Sequence, residues 1–483
     1  MASPWLEEER SGPLRPSGST AAGPTTRAAA ARAAGELALA VLAAPGPPQL
    51  TILSHLERND KMRLGSACSS LRQASLAWFP EVTATLERKS DVVSLAAWLE
   101  RHQARLHLPN FQLPTLKDGA SNEYWNDSLT ALPPSLVTSL SACVLEQPAA
   151  VSALTALTRL ELNYADYLGD NLSIRISAYL QPLMRLRQLS VFKSDIGDNA
   201  EELLSLRALA GLQALQLTHC WLERIPRALS ALTRLTALDL SSNRISAMAP
   251  LAALQRLQQL DLSFCSLTAV PEPVSELTAL TRLDLADNEQ LAGGWHLLLP
   301  LTQLQDLGLG LCGLTAVPQQ LSALTALTRL DLGCNPLAGG WQHLLALTQL
   351  QDLQLSGCGL TAVPQQMSAR AALTRLHLFV NNKLAGNWQH LLPLTHLQDL
   401  EVESCSLAAV PQQLSALTAL TCLDLSFNGQ LASGWQHLLA LTRLRKLRGR
   451  TRTSSAAAFL GICSAQCAAP CKVSSDKKQC TDS

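Results

Sequence analysis

Leucine recurs along most of this chain at fixed offsets. Between Leu157 and Leu444 the phrase Leu-x-x-Leu-x-Leu-x-x-(Asn or Cys)-x-Leu returns every 22–24 residues, after two longer spacings of 29 and 26. Apolar and polar residues alternate within each phrase, which predicts a short strand with leucines on one side and polar residues on the other. The chain between phrases must return to the start of the next strand. We therefore predict stacked strand-turn-return units rather than separate globular domains.

This period and these leucine offsets resemble those of leucine-rich-repeat proteins. The resemblance implies an α/β solenoid, a leucine-rich-repeat horseshoe with a parallel sheet on its concave side. From Leu257 onward two return segments alternate, one like Ala316-Val317-Pro318 and one like Gly339-Gly340-Trp341. The tryptophans of the second type either fill a gap in the return layer or form a ligand shelf, and we favour the gap-filling interpretation.

The Asn or Cys position of the phrase, which we call the slot, has a structural interpretation. Its side chain lies where the strand turns, beside backbone groups that need partners. Cysteine and asparagine alternate there: Cys220, Asn243, Cys265, Asn288, Cys312, Asn335, Cys358, Asn381, Cys405 and Asn428. Two slot cysteines are therefore two strands apart, about 9.6 Å at ~4.8 Å per strand, whereas a disulfide needs Cα atoms within about 7 Å. We predict reduced thiols and an intracellular protein.

Two columns of outward residues flank the second leucine of each phrase. The residue before it, which we call the ladder column, alternates in sign through Arg282, Asp306, Arg329, Asp352, Arg375 and Asp399. The residue after it, the acidic column, includes Glu161, Asp239, Asp261, Asp284, Asp331, Glu401 and Asp424. In-register parallel strands would set each column side by side at about 4.8 Å. The ladder column either neutralises itself or forms a docking stripe for a charged partner.

A third set of residues precedes the slot, at what we call the strand-end position. It includes Phe264, Leu311 and Phe427, which either anchor a partner or pack against neighbouring turns. We take them, with the ladder residues, as candidates for the concave face.

Composition narrows the choice of partner. Lysine and arginine number 38, as do aspartate and glutamate, so the formal net charge is zero. That balance gives no long-range attraction for nucleic acid or acidic lipid, and no apolar run approaches the roughly 18 residues of a membrane span. We therefore predict neither a nucleic-acid nor a membrane partner.

Changes in composition divide the chain into five parts. We predict a disordered Ala/Pro/Ser/Arg-rich lead (1–44), a small all-α segment (45–90), an N-terminal cap with degenerate repeats (91–155), the repeat array (156–449) and a disordered cysteine-containing tail (450–483). The cysteine spacing in the tail does not match a zinc site, so no metal is predicted.

The all-α segment contains two short amphipathic patterns joined by a polar turn that ends at Asp60. It resembles an F-box through Ile52-Leu53, Leu56, Asp60, Met62, Leu64, Ala67-Cys68 and Leu71-Arg72. It departs from that family at Leu71, where tryptophan is usual, and at Pro47-Pro48, which replace an acidic-apolar opening. A helical cap on the solenoid is the competing interpretation of the same segment.

An F-box followed by leucine-rich repeats resembles the substrate receptors of cullin-type ubiquitin ligases. That resemblance implies that Ile52, Leu53, Leu56, Met62, Leu64 and Leu71 bury against a Skp-type adaptor, while the concave face holds a protein substrate. The alternative is a non-catalytic scaffold, for example in the cytoskeleton, the axoneme or a signalling complex. We predict no catalytic residues and no cofactor, and a cytoplasmic protein, with nuclear or axonemal placement as alternatives.

Overall fold

The computed structural model describes residues 81–84, 89–102, 104–111, 127–144, 149–164, 176–369 and 371–449. The predicted lead, the six adaptor-binding residues and the predicted tail all lie outside the described residues. The chain divides into two compact units, one of residues 1–82 with 98–104 and one of residues 83–97 with 105–483. Nearly all described residues belong to the second unit.

Short strands recur once per repeat. They are β1 (Glu81–Thr83), β2 (Arg105–Phe111), β3 (Val137–Val144), β4 (Arg159–Tyr164), β5 (Gln188–Phe192), β6 (Ala214–Thr218), β7 (Ala237–Asp239), β8 (Gln259–Asp261), β9 (Arg282–Asp284), β10 (Asp306–Gly308), β11 (Arg329–Asp331), β12 (Asp352–Gln354), β13 (Arg375–His377), β14 (Asp399–Glu401), β15 (Cys422–Asp424) and β16 (Lys446–Arg448).

These strands form one sheet in which spatial order equals chain order. Neighbours from β6 onward pair in parallel with the second leucines in register, as in Leu307↔Leu330 and Leu330↔Leu353. The predicted parallel sheet is thereby confirmed. The sheet also begins before the clean array, because β2 and β3 pair with each other and β3 pairs with β4.

One described element differs from the prediction. The predicted all-α segment (45–90) contains Glu81–Thr83, and these three residues form strand β1. The β-branched Val82 and Thr83 favour an extended backbone, and a three-residue stretch is too short to show a helical or strand period.

Most return segments are 3-10 helices. They span Ala149–Ala153, Gly197–Asn199, Arg207–Gly211, Arg227–Ala231, Ala249–Ala253, Glu272–Glu276, Trp295–Leu298, Gln319–Ala323, Trp341–Ala346, Gln365–Ala369, Trp388–Leu391, Gln412–Ala416 and Trp435–Ala440. The α-helices among the described residues are α1 (Lys89–His102), α2 (Ser177–Leu180) and α3 (Ala200–Leu204). Segments of this length suit the 3-10 form, since α-helix nucleation fixes several residues for one hydrogen bond.

The core is the file of leucines that the phrase predicts. Leu327, Leu330 and Leu332 of one repeat are fully buried, and their equivalents in the neighbouring repeats are buried as well. Burying a leucine side chain contributes about 1.5–3 kcal/mol, so each repeat gains its stability by stacking on its neighbours. The opposite side of each strand remains available as an outward face.

Candidate binding face

The outward face of strands β9 to β14 carries the predicted ladder column. The register sets Arg282 beside Asp306, Asp306 beside Arg329 and Arg329 beside Asp352. Arg282 Nη1 lies 3.6 Å from Asp306 Oδ2, and Arg329 Nε lies 3.8 Å from Asp306 Oδ1. Further along, Arg375 Nε lies 3.2 Å from Asp352 Oδ2. The ladder column therefore forms ion pairs across the strands, as its alternation of sign predicts.

These pairs stabilise the face modestly. The side chains of Arg282 and Arg329 are 53% and 55% exposed, and exposed pairs are worth about 0.2–1 kcal/mol. Burial raises the pKa of Asp306 although the two arginines oppose that shift. Asp399 lies in register between Arg375 and Cys422, so the alternation ends at that point. Whether the ladder column binds a partner stays a prediction.

His377 is a central residue of this face that the sequence reasoning missed. Its Nδ1 lies 2.8 Å from Glu401 Oε2, and its Nε2 lies 3.4 Å from Asp352 Oδ1. Burial alone would lower the pKa of His377, but the hydrogen bonds to Asp352 and Glu401 raise it to about 9. The same contact, with Arg375, holds the pKa of Asp352 below its ordinary value against the effect of burial. At physiological pH the protonated imidazole thus places one positive charge between the two carboxylates, and Arg375 supplies a second one to Asp352.

The break in the acidic column could have pointed to His377. The column is acidic at Asp331, Glu401 and Asp424, and His377 occupies the same position in β13. Register alone places it beside Glu401. Its contact with Asp352, which belongs to the ladder column of the preceding strand, depends on the side-chain direction and was not predictable from the spacing.

Strands β7 and β8 carry acids that pair with no basic side chain of the described residues. Asp239 and Asp261 lie side by side in register, and the ladder column there holds Ala237 and Gln259. On the next strand Asp284 Oδ2 lies 3.8 Å from Arg282 Nη2. Burial raises the pKa of Asp261, and the neighbouring Asp284 and Asp239 raise it further. The outward face therefore changes from acidic on β7 and β8 to largely self-neutralised on β12 to β14.

The strand-end position adopts a left-handed backbone in successive repeats. It holds Lys193, His219, Ser242, Phe264, Asp287, Leu311, Cys334, Gly357, Val380, Ser404 and Phe427. The N–H of Phe264 donates to Ala286 O at 3.1 Å, and that of Leu311 donates to Gly333 O at 2.9 Å. The conformation is therefore fixed by hydrogen bonds to the next repeat rather than by the residue type.

This backbone directs several large apolar side chains into solvent. Phe264 is 57% exposed, Phe427 is 65% exposed and Val380 is 47% exposed, whereas Leu311 is half-buried. Of the two interpretations that the sequence left open, packing against neighbouring turns does not describe Phe264 and Phe427. Their role as partner anchors stays a prediction, although exposed aromatic side chains are common anchors in interfaces.

The slot residues hold the edge of this face in place. Asn335 Oδ1 accepts the N–H groups of Cys312 and Leu314, both at 2.9 Å, and its Nδ2 donates to Leu309 O and Leu332 O at 2.7 and 3.0 Å. We call a repeat with asparagine at the slot an asparagine repeat and one with cysteine there a cysteine repeat. The slot asparagine thus provides hydrogen-bond partners for backbone groups in the turn of the preceding cysteine repeat. The structural interpretation of the slot agrees with these bonds.

The slot cysteines are reduced and buried. Cys312 Sγ donates to Leu285 O at 3.1 Å and Cys358 Sγ to Leu332 O at 3.2 Å. Burial raises the pKa of Cys312 to about 12 and that of Cys358 to about 11, so neither is a ready nucleophile. The thiols of Cys220, Cys265, Cys312, Cys334, Cys358, Cys405 and Cys422 are all free.

Metal binding and membrane insertion have no candidate elements among the described residues. Within them, no group of three His, Cys, Asp or Glu side chains is placed to hold a metal ion. None of the helices that the structure describes is long and apolar enough to cross a membrane.

Comparison with known proteins supports the fold. No family model and no curated protein matches the chain. Among solved structures, a leucine-rich-repeat protein of Leptospira interrogans is 20% identical, with 75% of this chain and 99% of that chain covered and a TM-score of 0.52. An internalin from Listeria monocytogenes is 18% identical (78% and 93% covered, TM-score 0.42). TLR13 in a complex with ssRNA13 is 23% identical (82% and 56% covered, TM-score 0.47).

The first of these structures, with the sheet described above, identifies the fold as a leucine-rich-repeat solenoid. The prediction of fold class is confirmed. At this identity the likeness concerns the fold and not the ligand.

Proposed function

We propose that this chain is a non-catalytic binding protein that holds a protein partner on the outward face of its sheet. The observation that carries the proposal is the set of exposed apolar side chains along that face, above all Phe264 and Phe427. They protrude from a backbone that is fixed by hydrogen bonds. A partner that binds them would therefore lose little free energy to the ordering of loops and side chains. The acids Asp239 and Asp261 of β7 and β8 and the basic Lys446 and Arg448 of β16 give two parts of the face different charge.

A variant pair tests the use of this face. Phe264→Ser with Phe427→Ser removes both aromatic anchors, whereas Leu299→Ser with Leu345→Ser changes return-side leucines that are 43% and 45% exposed. A partner captured from cell extract by the wild-type chain should be lost from the first pair and retained by the second. Equal capture by both pairs would exclude the outward face as its binding site.

The finer proposal is that the chain is the substrate receptor of a cullin-type ubiquitin ligase. Its support is the F-box resemblance of Ile52, Leu53, Leu56, Met62, Leu64 and Leu71, which lie outside the described residues. In that role these residues would contact a Skp-type adaptor, and the outward face, the concave side of the predicted horseshoe, would hold the substrate in the cytoplasm or nucleus. The scaffold alternative shares the outward face but has no adaptor.

A binding assay with purified adaptor separates the two. The wild-type chain should bind a Skp-type adaptor, Leu53→Asp with Leu56→Asp should not, and Ser54→Asp, at a position outside the F-box pattern, should bind as the wild type does. Absence of binding by the wild-type chain would leave the scaffold as the proposed role.

A further inference from the structure

The return segments of this solenoid are bonded to one another in pairs. Isolated parallel bridges join Arg224 to Ala247, Ala269 to Gly293, Ala316 to Gly339, Ala362 to Gly386 and Ala409 to Ser433. Each joins a cysteine repeat to the asparagine repeat that follows it. The slot bonds of Asn335 to Cys312 and Leu314 lie within such a pair. The boundary between one pair and the next has no such bridge among the described residues.

Tryptophan occupies the return segment at four of these boundaries. Trp295, Trp341, Trp388 and Trp435 each begin the 3-10 helix of an asparagine repeat. Trp388 is 7% exposed and Trp435 is 5% exposed. The Trp435 ring reaches the next repeat, since a Cβ on Gly449 would lie 3.8 Å from its Cη2. Trp388 and Trp435 are therefore packed into the fold, in agreement with the gap-filling interpretation, whereas Trp295 and Trp341 are half-buried.

The boundary between β7 and β8 lacks this filler. Ile245-Ser246-Ala247-Met248-Ala249 stands where the next asparagine repeat has Leu291-Ala292-Gly293-Gly294-Trp295, so Ala249 replaces the tryptophan. An open groove of about 630 Å³ lies there. Ile245, Met248 and Ala249 line one side, and Leu267, Val270 and Pro271 line the other. Its volume falls within the range of about 300–1,000 Å³ that is typical of ligand sites.

Opposite charges stand at the two rims of this groove. Arg244 belongs to the repeat of β7 and Glu272 to that of β8; both line the groove and both are exposed. Neither side chain forms an ion pair with another described residue. The floor of the groove is apolar and lies between the positive Arg244 and the negative Glu272. Such a surface is complementary to a peptide segment with one aromatic side chain, an acidic residue on one side of it and a basic residue on the other.

We propose that this groove, which we call the vacant-tryptophan groove, docks a segment of a partner protein that inserts an aromatic side chain at the position of the missing indole. An acidic residue of that segment faces Arg244 and a basic residue faces Glu272. The chain itself provides the template, because a tryptophan begins the equivalent return segment in four later repeats and is buried in two of them. The groove lies between return segments and not on the outward face, so it is a second docking site beyond the proposed function.

The direct test uses the full chain and a synthetic peptide, Asp-Gly-Trp-Gly-Lys, that carries 5-fluorotryptophan and is followed by 19F NMR. The wild-type chain should shift the fluorine signal in a saturable manner. Ala249→Trp supplies the missing indole and should abolish the shift, whereas Gln255→Trp, at an exposed position outside the groove, should not. No saturable shift with the wild type, or an equal shift with Ala249→Trp, would overturn the proposal.

Two further variants test the proposal even if Ala249→Trp does not fold. Trp388→Ala removes the indole at an equivalent boundary and should raise the number of peptides bound per chain from one to two. A peptide that binds only at the boundary emptied in Trp388→Ala would overturn the proposal. Arg244→Glu with Glu272→Lys reverses the two charges at exposed positions and should weaken binding by about 2- to 30-fold, since two exposed pairs are lost. If free 5-fluoroindole binds as tightly as the peptide and the rim reversal has no effect, the groove takes small aromatic molecules, which contradicts docking of a protein segment.

Discussion

Asn335 is the slot residue for which the loss of stability on substitution can be worked out from its hydrogen bonds. Its side chain is fully buried and bonds backbone groups of two repeats. Asn335→Leu keeps the side chain roughly the same length but can neither accept nor donate a hydrogen bond. The N–H groups of Cys312 and Leu314 would then lose the acceptor that they share.

The magnitude follows from counting those groups. Leaving a buried donor without a partner costs about 1–3 kcal/mol, so two donors cost about 2–6 kcal/mol. The larger side chain adds an overpacking cost of about 1–3 kcal/mol. Cys358→Leu is a matched control, because it introduces the same side chain at a buried slot whose cysteine donates to Leu332 O, while the acceptor shared by Cys312 and Leu314 on Asn335 remains in place. The difference between the two variants therefore isolates the two stranded donors.

The assay should be local, because long repeat arrays do not unfold in one two-state step. Hydrogen exchange followed by mass spectrometry on a peptide that contains Cys312 and Leu314 reports the relevant amides. A loss of 2 kcal/mol corresponds to about 30-fold faster exchange. We expect at least that acceleration in Asn335→Leu, with no comparable change in this peptide in Cys358→Leu.

Unchanged protection of Cys312 and Leu314 in Asn335→Leu would refute the reasoning. It would mean that water or a backbone shift satisfies these N–H groups without the asparagine. Equal acceleration in both variants would also refute it, since overpacking alone would then explain the effect.

Other consequences of the structure are open to simple measurements. Arg329→Asp sets three acids in neighbouring registers and should lower the melting temperature more than Arg329→Ala; equal shifts would show that the ladder column contributes nothing. The charged form of His377 should stabilise the fold fully below about pH 6.5 and lose that effect as the pH rises through its folded pKa of about 9. His377→Gln should lack this loss in urea unfolding, and an identical pH profile would contradict the assignment. Gly340→Ala places a Cβ 2.5 Å from Val317 O at a φ of 77° and should cost about 1–3 kcal/mol. Gly339→Ala points into open space and should change stability by less than about 0.5 kcal/mol; equal effects would exclude backbone strain as the cause.

The register of the outward face was predictable because each repeat has nearly the same length. Once the second leucines align, Asp306 must lie beside both Arg282 and Arg329, whatever the side chains do. The alternation of asparagine and cysteine at the slot was visible for the same reason. Its purpose, that Asn335 satisfies the turn of the preceding repeat, needed the hydrogen bonds themselves.

The sequence by itself determined the stacked fold, the leucine core and the order of charges along the strands, because these depend only on period and on the two-residue alternation of a strand. Only the tertiary structure decided where side chains of different columns meet. The contact of His377 with Asp352 is one such case, and the left-handed backbone that exposes Phe264 is another. The vacant-tryptophan groove is a third. The small side chain of Ala249 leaves space, and that space is a groove only because the next repeat packs beside it and forms its other wall. Such features arise from the directions and volumes of side chains in neighbouring repeats, which the spacing of residues along one chain does not specify.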